Sequence, residues 1–206
     1  MKKLLHIIAT PRGEESRTLQ VTEVFLETFK AKHPDWMIDE FDLQKEKLPP
    51  LTMKRVDGKY VLLGGKDLSG ELKEAWEEII TQIERFLSAD GCLISTPMWN
   101  FSIPYTLKHY LDVILQPKYL FRYTASGPEG LVRNKKMAVI TSRGGDYLDL
   151  MRSADFQEPY LRFVFRFVGI TDITFVNAQP MDMGESLQEE KIKESQAKAR
   201  EAAMLF

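Results

Sequence analysis

The chain has 206 residues, 44% of them apolar, which is enough to bury a full core and makes one domain over residues 1–206 the expectation. Its 28 basic and 30 acidic residues leave a formal charge of -2, so there is no polyelectrolyte field to attract nucleic acid, and a DNA partner is not expected. With a single cysteine there is no internal disulfide framework, and no apolar run reaches the length of a membrane span; cytoplasmic placement without a membrane partner is the expectation.

Lys3 to Ala9 is a short apolar run and reads as a buried strand. The opening Met1-Lys2-Lys3 imitates a secretory leader, but the run contains His6 and meets Pro11-Arg12-Gly13-Glu14-Glu15 instead of a cleavage site. Ser16 to Lys32 reads as a helix with Leu19, Val21, Val24, Phe25, Leu26 and Phe29 supplying its apolar face. The loop between strand and helix offers hydroxyls, a glycine and free helix-start amides, a combination that suits a phosphate. Ser16 serves equally well as a plain helix cap, and Glu14 and Glu15 would repel an anion unless they face solvent.

Trp36 to Leu43 alternates apolar and acidic residues, as an edge strand with one exposed face would. Near 44–70 the pattern breaks down, and a long irregular connection is expected, of the kind that forms a lid, a partner contact or a mobile loop. Its Gly64-Gly65-Lys66 hints at a phosphate-binding P-loop. The spacing from Gly58 is one residue too long, and Asp67 stands where that motif requires Ser or Thr.

Glu71 to Leu87 places Leu72, Trp76, Ile79, Ile80, Ile83 and Leu87 on one helical face. Ala89 to Ile94 then reads as a strand covered on both faces, and it runs into Ser95-Thr96-Pro97-Met98-Trp99-Asn100-Phe101 before a helix over Tyr105 to Leu115. A loop of aromatic, sulfur and amide side chains at the carboxyl end of such a strand is where an open α/β sheet binds a flat ligand. Residues 118–132 suggest an excursion, a hairpin being one form of it, around Ser126-Gly127-Pro128-Glu129-Gly130. Lys136 to Ser142 is another buried strand, ending on Arg143-Gly144-Gly145, where glycines admit a ligand close to the backbone or simply make a tight turn. Pro159 to Val168 reads as a helix, Ile170 to Val176 as the last strand and Leu187 to Met204 as a terminal helix.

Strands alternating with helices five times imply an α/β doubly wound parallel sheet of flavodoxin-like order 2-1-3-4-5, with helices on both faces and a ligand crevice between the first and third strands. No Gly-x-Gly-x-x-Gly follows any strand, which disfavours a dinucleotide fold of the Rossmann type. His6, His33 and His109 sit inside or at the end of regular elements and read as structural or solvated, Cys92 reads as an inert core thiol, and no cluster suits a metal. No catalytic side chain is therefore assigned.

At three loops the chain resembles the FMN-dependent NADH azoreductase family of flavodoxin-like quinone and azo reductases. The likeness rests on Pro97-Met98-Trp99-Asn100-Phe101, on Phe121-Arg122-Tyr123-Thr124 with Gly127-Pro128-Glu129-Gly130-Leu131, on Thr141-Ser142-Arg143-Gly144-Gly145, and on Gly169-Ile170-Thr171-Asp172. It runs through most of the sequence and is weakest between Gln44 and Gly70. The resemblance implies that Thr10, Ser16, Arg17 and Thr18 surround the FMN phosphate. It places Pro97, Met98, Trp99, Asn100 and Phe101 along the isoalloxazine, and Ser142, Arg143, Gly144 and Gly145 at its pyrimidine end. Thr10 stands where the family often has Ser, and Trp99 where it often has Tyr. The family also implies NADH or NADPH as hydride donor, a quinone, azo or nitroaromatic acceptor, and ping-pong kinetics. It further implies a homodimer with shared active sites, in which Trp99, Tyr123 and Phe167 form the walls of the acceptor site. The residues leave open a second reading, an FMN-binding electron carrier of the flavodoxin type with no substrate of its own. Such carriers are usually shorter and strongly acidic, and this chain is neither.

Overall fold

The computed structural model describes residues 1–206. In chain order the elements are β1 (Lys3–Ile8), α1 (Arg17–Lys32), β2 (Met37–Asp42), α2 (Met53–Leu63), α3 (Gly70–Leu87), β3 (Gly91–Pro97) and α4 (Tyr105–Ile114). They continue with β4 (Phe121–Thr124), β5 (Gly127–Gly130), β6 (Lys136–Ser142), α5 (Glu158–Phe167), β7 (Ile173–Ala178) and α6 (Glu185–Leu205). Five strands form a sheet in the order β2-β1-β3-β6-β7, every neighbouring pair parallel. With the two strands of the small hairpin set aside, this is the 2-1-3-4-5 order expected of the sequence.

The continuous apolar runs are explained by the two faces they serve. Leu5, Ile7, Cys92, Ile94, Met137 and Val139 point into a core closed by α3, α4 and α5. Their neighbours Leu4, Leu93, Ala138 and Ile140 point the other way, against α1 and α6. Successive strand residues alternate sides, so a strand covered on both sides must be apolar throughout. Each fully buried Leu, Ile or Phe contributes about 1.5–3 kcal/mol to holding the layers together.

The structure departs from the sequence reading between residues 44 and 70, where Met53–Leu63 is a helix and not part of an irregular connection. Only Gly58 and Leu62 of α2 are buried, so the apolar stripe that announces a helix is missing. Gly58 occupies the contact instead. A Cβ added there would stand 2.2 Å from Nε1 of Trp76 on α3, and that indole nitrogen donates to the carbonyl of Arg55 at 2.9 Å. Residues 118–132 contain the antiparallel hairpin β4–β5, with Phe121 opposite Gly130 and Thr124 opposite Gly127.

One polar group lies under the sheet. His6 is buried beside Ser95, its Nε2 2.8 Å from Ser95 Oγ. Thr22 Oγ1 donates to Thr18 O at 2.9 Å and pairs with Ser95 Oγ at 2.8 Å. With the Thr22 proton so placed, Ser95 donates to Thr22 and accepts from His6 Nε2–H. His6 Nδ1 is then the bare nitrogen, and it has no partner. A second ring proton would be buried without an acceptor, and desolvation accordingly lowers the His6 pKa to about 4, against a smaller opposing pull from Asp42.

Two outcomes follow. Gly58→Ala should destabilise the protein by roughly 1–3 kcal/mol, because a rigid indole must move, read as a lower urea midpoint with unchanged slope; wild-type stability would mean that α2 is not wedged on Trp76. Because the unfolded chain protonates His6 near pH 6.5 and the folded chain only near 4, stability should be lost as pH falls through that window, by on the order of 3 kcal/mol. His6→Asn should flatten that part of a urea-midpoint profile against pH, and an unchanged profile would assign the acid sensitivity to other groups.

Candidate functional site

Because β1, β3 and β6 are neighbours, their carboxyl ends deliver three loops side by side. Hydrogen bonds lock the loops to one another: Thr18 Oγ1 and Ser142 Oγ pair at 2.6 Å, and Met98 N donates to Ser142 O at 2.8 Å.

The first loop leads into the start of α1. Ser16 caps the helix by accepting from Leu19 N at 3.3 Å, and Thr10 Oγ1 donates to Ser16 Oγ at 3.0 Å. The cap uses the third amide of the helix and leaves the N–H groups of Arg17 and Thr18 with no acceptor in the chain. Capping and anion binding are therefore compatible here, since these amides and the helix dipole both favour negative charge. Arg17 pairs with Asp182, and Arg12 lies 3.4 Å from Glu15, whose side chain is 82% exposed. Glu14 is exposed as well, so neither carboxylate of the loop is turned inward.

In the loop after β3, Trp99 N donates to Ser102 O and Ser102 N to Trp99 O, each at 2.9 Å. Asn100 and Phe101 turn the chain between them at φ 46° and 69°. A two-residue turn with both central φ positive suits Asn but not Phe, and backbone strain of this kind costs roughly 1–3 kcal/mol per residue. Since Met98 N and Trp99 N are already bonded, this loop presents side chains to a ligand and not those amides. The opposite holds in the loop after β6, where the N–H groups of Gly144 and Gly145 have no acceptor in the chain and both residues are half-buried. A Cβ on Gly144 would come 2.4 Å from Asp182 Oδ2, the end of an exposed side chain that can move.

The expected residues Thr10, Ser16, Arg17, Pro97, Met98, Trp99, Ser142, Arg143 and Gly144 line one cavity of about 200 Å³. Pro11, Arg12, Met181 and Asp182 line it too. Pro11 and Arg12 lie inside the first loop that the sequence singled out, although neither was named for a role, whereas Met181 and Asp182, after β7, carried no local signal. Thr18 is fully buried and turns its hydroxyl to Ser142. Trp99 also borders a larger groove of about 640 Å³ lined by Asn100, Ile103, Tyr105, Lys108, His109 and Tyr160 among others. Cofactor sites usually occupy roughly 300–1,000 Å³, so the two spaces that share Trp99 together offer the room. Tyr123 and Phe167 lie elsewhere in the chain. Phe167 packs on Phe121 at 4.8 Å between ring centroids, and Tyr123 borders a separate cavity with Leu62, Leu63 and Lys118. One chain therefore does not gather Trp99, Tyr123 and Phe167 around a single space.

His109 Nε2 is 3.0 Å from the carbonyl of Pro49, and burial pushes the Cys92 thiol up to about 12, far from a thiolate at neutral pH. No helix is long and apolar enough to cross a membrane.

Comparison with known proteins places this geometry in a wider set. The family described as having a flavodoxin-like fold matches residues 2–203. The FMN-dependent NADH:quinone oxidoreductase of Ruegeria pomeroyi is 39% identical over 87% of this chain and 90% of its own. A second such protein, from Pseudomonas fluorescens, is 36% identical over 98% of this chain and all of its own. Among solved structures, an azoreductase from Bacillus anthracis aligns with a TM-score of 0.91 at 30% identity over the full length of both chains. An FMN-dependent NADH-azoreductase from the same species, in complex with FMN, aligns at 0.87 with 28% identity, covering 99% of this chain and 98% of that one.

The anion end can be tested by itself. Arg17→Ala should weaken binding of inorganic phosphate about tenfold or more, the usual cost of a lost hydrogen bond to a charged group. Asp182→Asn, which frees Arg17, should strengthen it. Both are read from the rise in melting temperature with phosphate. Equal responses in wild type and both variants would remove the anion site from this end of the cavity.

Proposed function

The chain belongs to the flavodoxin-like family, its match running from residue 2 to residue 203, and on that premise we propose that it is an FMN-dependent NADH:quinone oxidoreductase that also reduces azo compounds. The observation that carries this reading is the set of features that three loops bring to one cavity. The start of α1 brings free amides and Arg17, the loop after β3 brings the Trp99 indole, and the loop after β6 brings the free amide of Gly144, with that of Gly145 next to it in the chain. That set matches a cofactor with an anionic tail, a planar ring and a polar ring edge.

Thr10, Ser16 and the first-turn amides of α1 would hold the FMN phosphate, with Arg17 exchanging Asp182 for it. Met98, Trp99 and Asn100 would flank the isoalloxazine with side chains, and the glycine amides would donate to its pyrimidine edge. When bound, FMN supplies the hydride relay between NADH and acceptor. The protein contributes position, exclusion of water and fixed dipoles, and it needs no acid or base of its own for that. Quinones, azo compounds and nitroaromatics share a flat π-system, which an indole wall accepts without strong discrimination.

The reading includes a homodimer in which Tyr123 and Phe167 of a second copy complete the acceptor site opposite Trp99. It is supported by their absence from the cavities that Trp99 lines and by the exposure of Tyr123 and Phe163, 63% and 69%, large aromatic surfaces of a kind that interfaces favour.

Two experiments test the reading. Anaerobic mixing of the FMN-loaded protein with NADH should bleach the flavin before any acceptor is present, with parallel double-reciprocal lines for NADH and a benzoquinone; no bleaching would leave the electron-carrier reading. Trp99→Ala and Tyr123→Ala homodimers should each raise the acceptor KM with flavin reduction by NADH less affected. Mixed dimers of the two variants should regain about half of wild-type turnover, because one of their two sites is intact. Without recovery, the two side chains do not share a site across the interface.

A further inference from the structure

Gln157 is fully buried at the start of α5, outside every loop discussed so far. Its Nε2 donates to Pro97 O at 2.8 Å, and its Oε1 accepts from Arg143 Nε at 3.2 Å. One side chain thus grips the first residue of the Pro97–Phe101 loop and the second residue of the Ser142–Gly145 loop. Its neighbours reinforce the grip. Phe156 N donates to Phe101 O at 3.0 Å, holding the other end of the first loop. Asp155 Oδ1 accepts from the backbone N–H groups of Gln157 and Glu158 at 2.9 and 3.1 Å, while its Oδ2 accepts from Arg143 Nη1 at 2.9 Å. Arg143 is only 2% exposed, so its charge is answered from behind the cavity by Asp155 and, at 3.7 Å, Glu158.

We propose that Gln157 is a positioning residue that clamps the two loops flanking the flavin ring at a fixed separation, with Asp155 and Phe156 completing the clamp. This deepens the functional reading and rests on it for the identity of the ring. The argument is one of satisfaction. If the amide is removed, Arg143 Nε loses its acceptor and Pro97 O keeps only Thr96 Oγ1 at 3.3 Å, so the loops must move apart or admit water. A carboxamide supplies one donor and one acceptor on the same carbon. Neither Glu nor Leu does both.

The test uses two variants and a readout that does not need flavin. In Gln157→Leu apoprotein, hydrogen exchange followed by mass spectrometry should accelerate in peptides covering 97–102 and 142–145, and stay at wild-type rates in the middle of α1. In Gln157→Glu, which can still accept from Arg143 but cannot donate to Pro97 O, acceleration should be confined to 97–102. If Gln157→Leu does not fold, Gln157→Glu carries the test by itself. Both variants should bind FMN and riboflavin roughly two- to tenfold more weakly, by the same factor for each because the change lies at the ring end, and the midpoint potential of bound FMN should shift. Unchanged exchange in both loops overturns the clamp, and faster exchange with wild-type flavin affinity and potential overturns the positioning role. Should the wild type bind no FMN, the functional reading falls, and the exchange data still decide the clamp.

Discussion

Parallel strands cannot be joined by tight turns, and each connection must cross one face of the sheet with a helix. That constraint makes the site. From β1 the chain leaves over the face covered by α1 and α6, whereas from β3 it leaves over the face covered by α3, α4 and α5. Two neighbouring loops that depart to opposite faces leave a crevice between them, with a helix start on one side. The convergence of Thr10 to Thr18, Pro97 to Phe101 and Ser142 to Gly145 is thus a consequence of strand order, and strand order follows from which runs are apolar on both sides.

A crevice alone is too loose to seat a planar ring, and the tightening comes from buried polar groups. One thread runs from His6 through Ser95 and Thr22 to the carbonyl of Thr18, whose hydroxyl meets Ser142, so that β1, α1, β3 and the loop after β6 are tied together. A second runs from Asp155 through Arg143 and Gln157 to Pro97. Each bond adds only about 0.5–1.5 kcal/mol net, but each buried group left unpaired costs more than that. Such threads therefore specify geometry more than they raise stability. With the His6 pKa at about 4, the first thread keeps its proton arrangement throughout the neutral range.

What was legible in the sequence divides along the same line. The strands β1, β3 and β6 could be read because burial on two faces leaves a local signature, and the loop after each followed from position alone. The helix α2 could not, since its contact with α3 is made by the absence of a side chain at Gly58 and by a cation, Arg55, reaching Ala75 O at 2.8 Å. Asp182 and Gln157 were invisible for a different reason. Their significance lies in partners 165 and 60 residues away in the chain, and no periodicity records such a pairing. Trp99 was found, but its relation to Tyr123 and Phe167 came from family resemblance, and within one chain these side chains stand apart.

The placement of strain completes the picture. Asn100 and Phe101 both take positive φ in the loop that borders the cavity, and glycine at Phe101 would relieve the cost. A folding requirement does not explain Phe there, because the side chain is 48% exposed and its ring makes only an edge contact with Tyr147 at 6.4 Å. Among non-glycine residues positive φ also occurs at Lys118, Asn134 and Asp149, but only at Asn100 and Phe101 do two such residues adjoin. An adjacent strained pair in the loop that carries Trp99 suits a protein that holds a planar cofactor against an aromatic side chain.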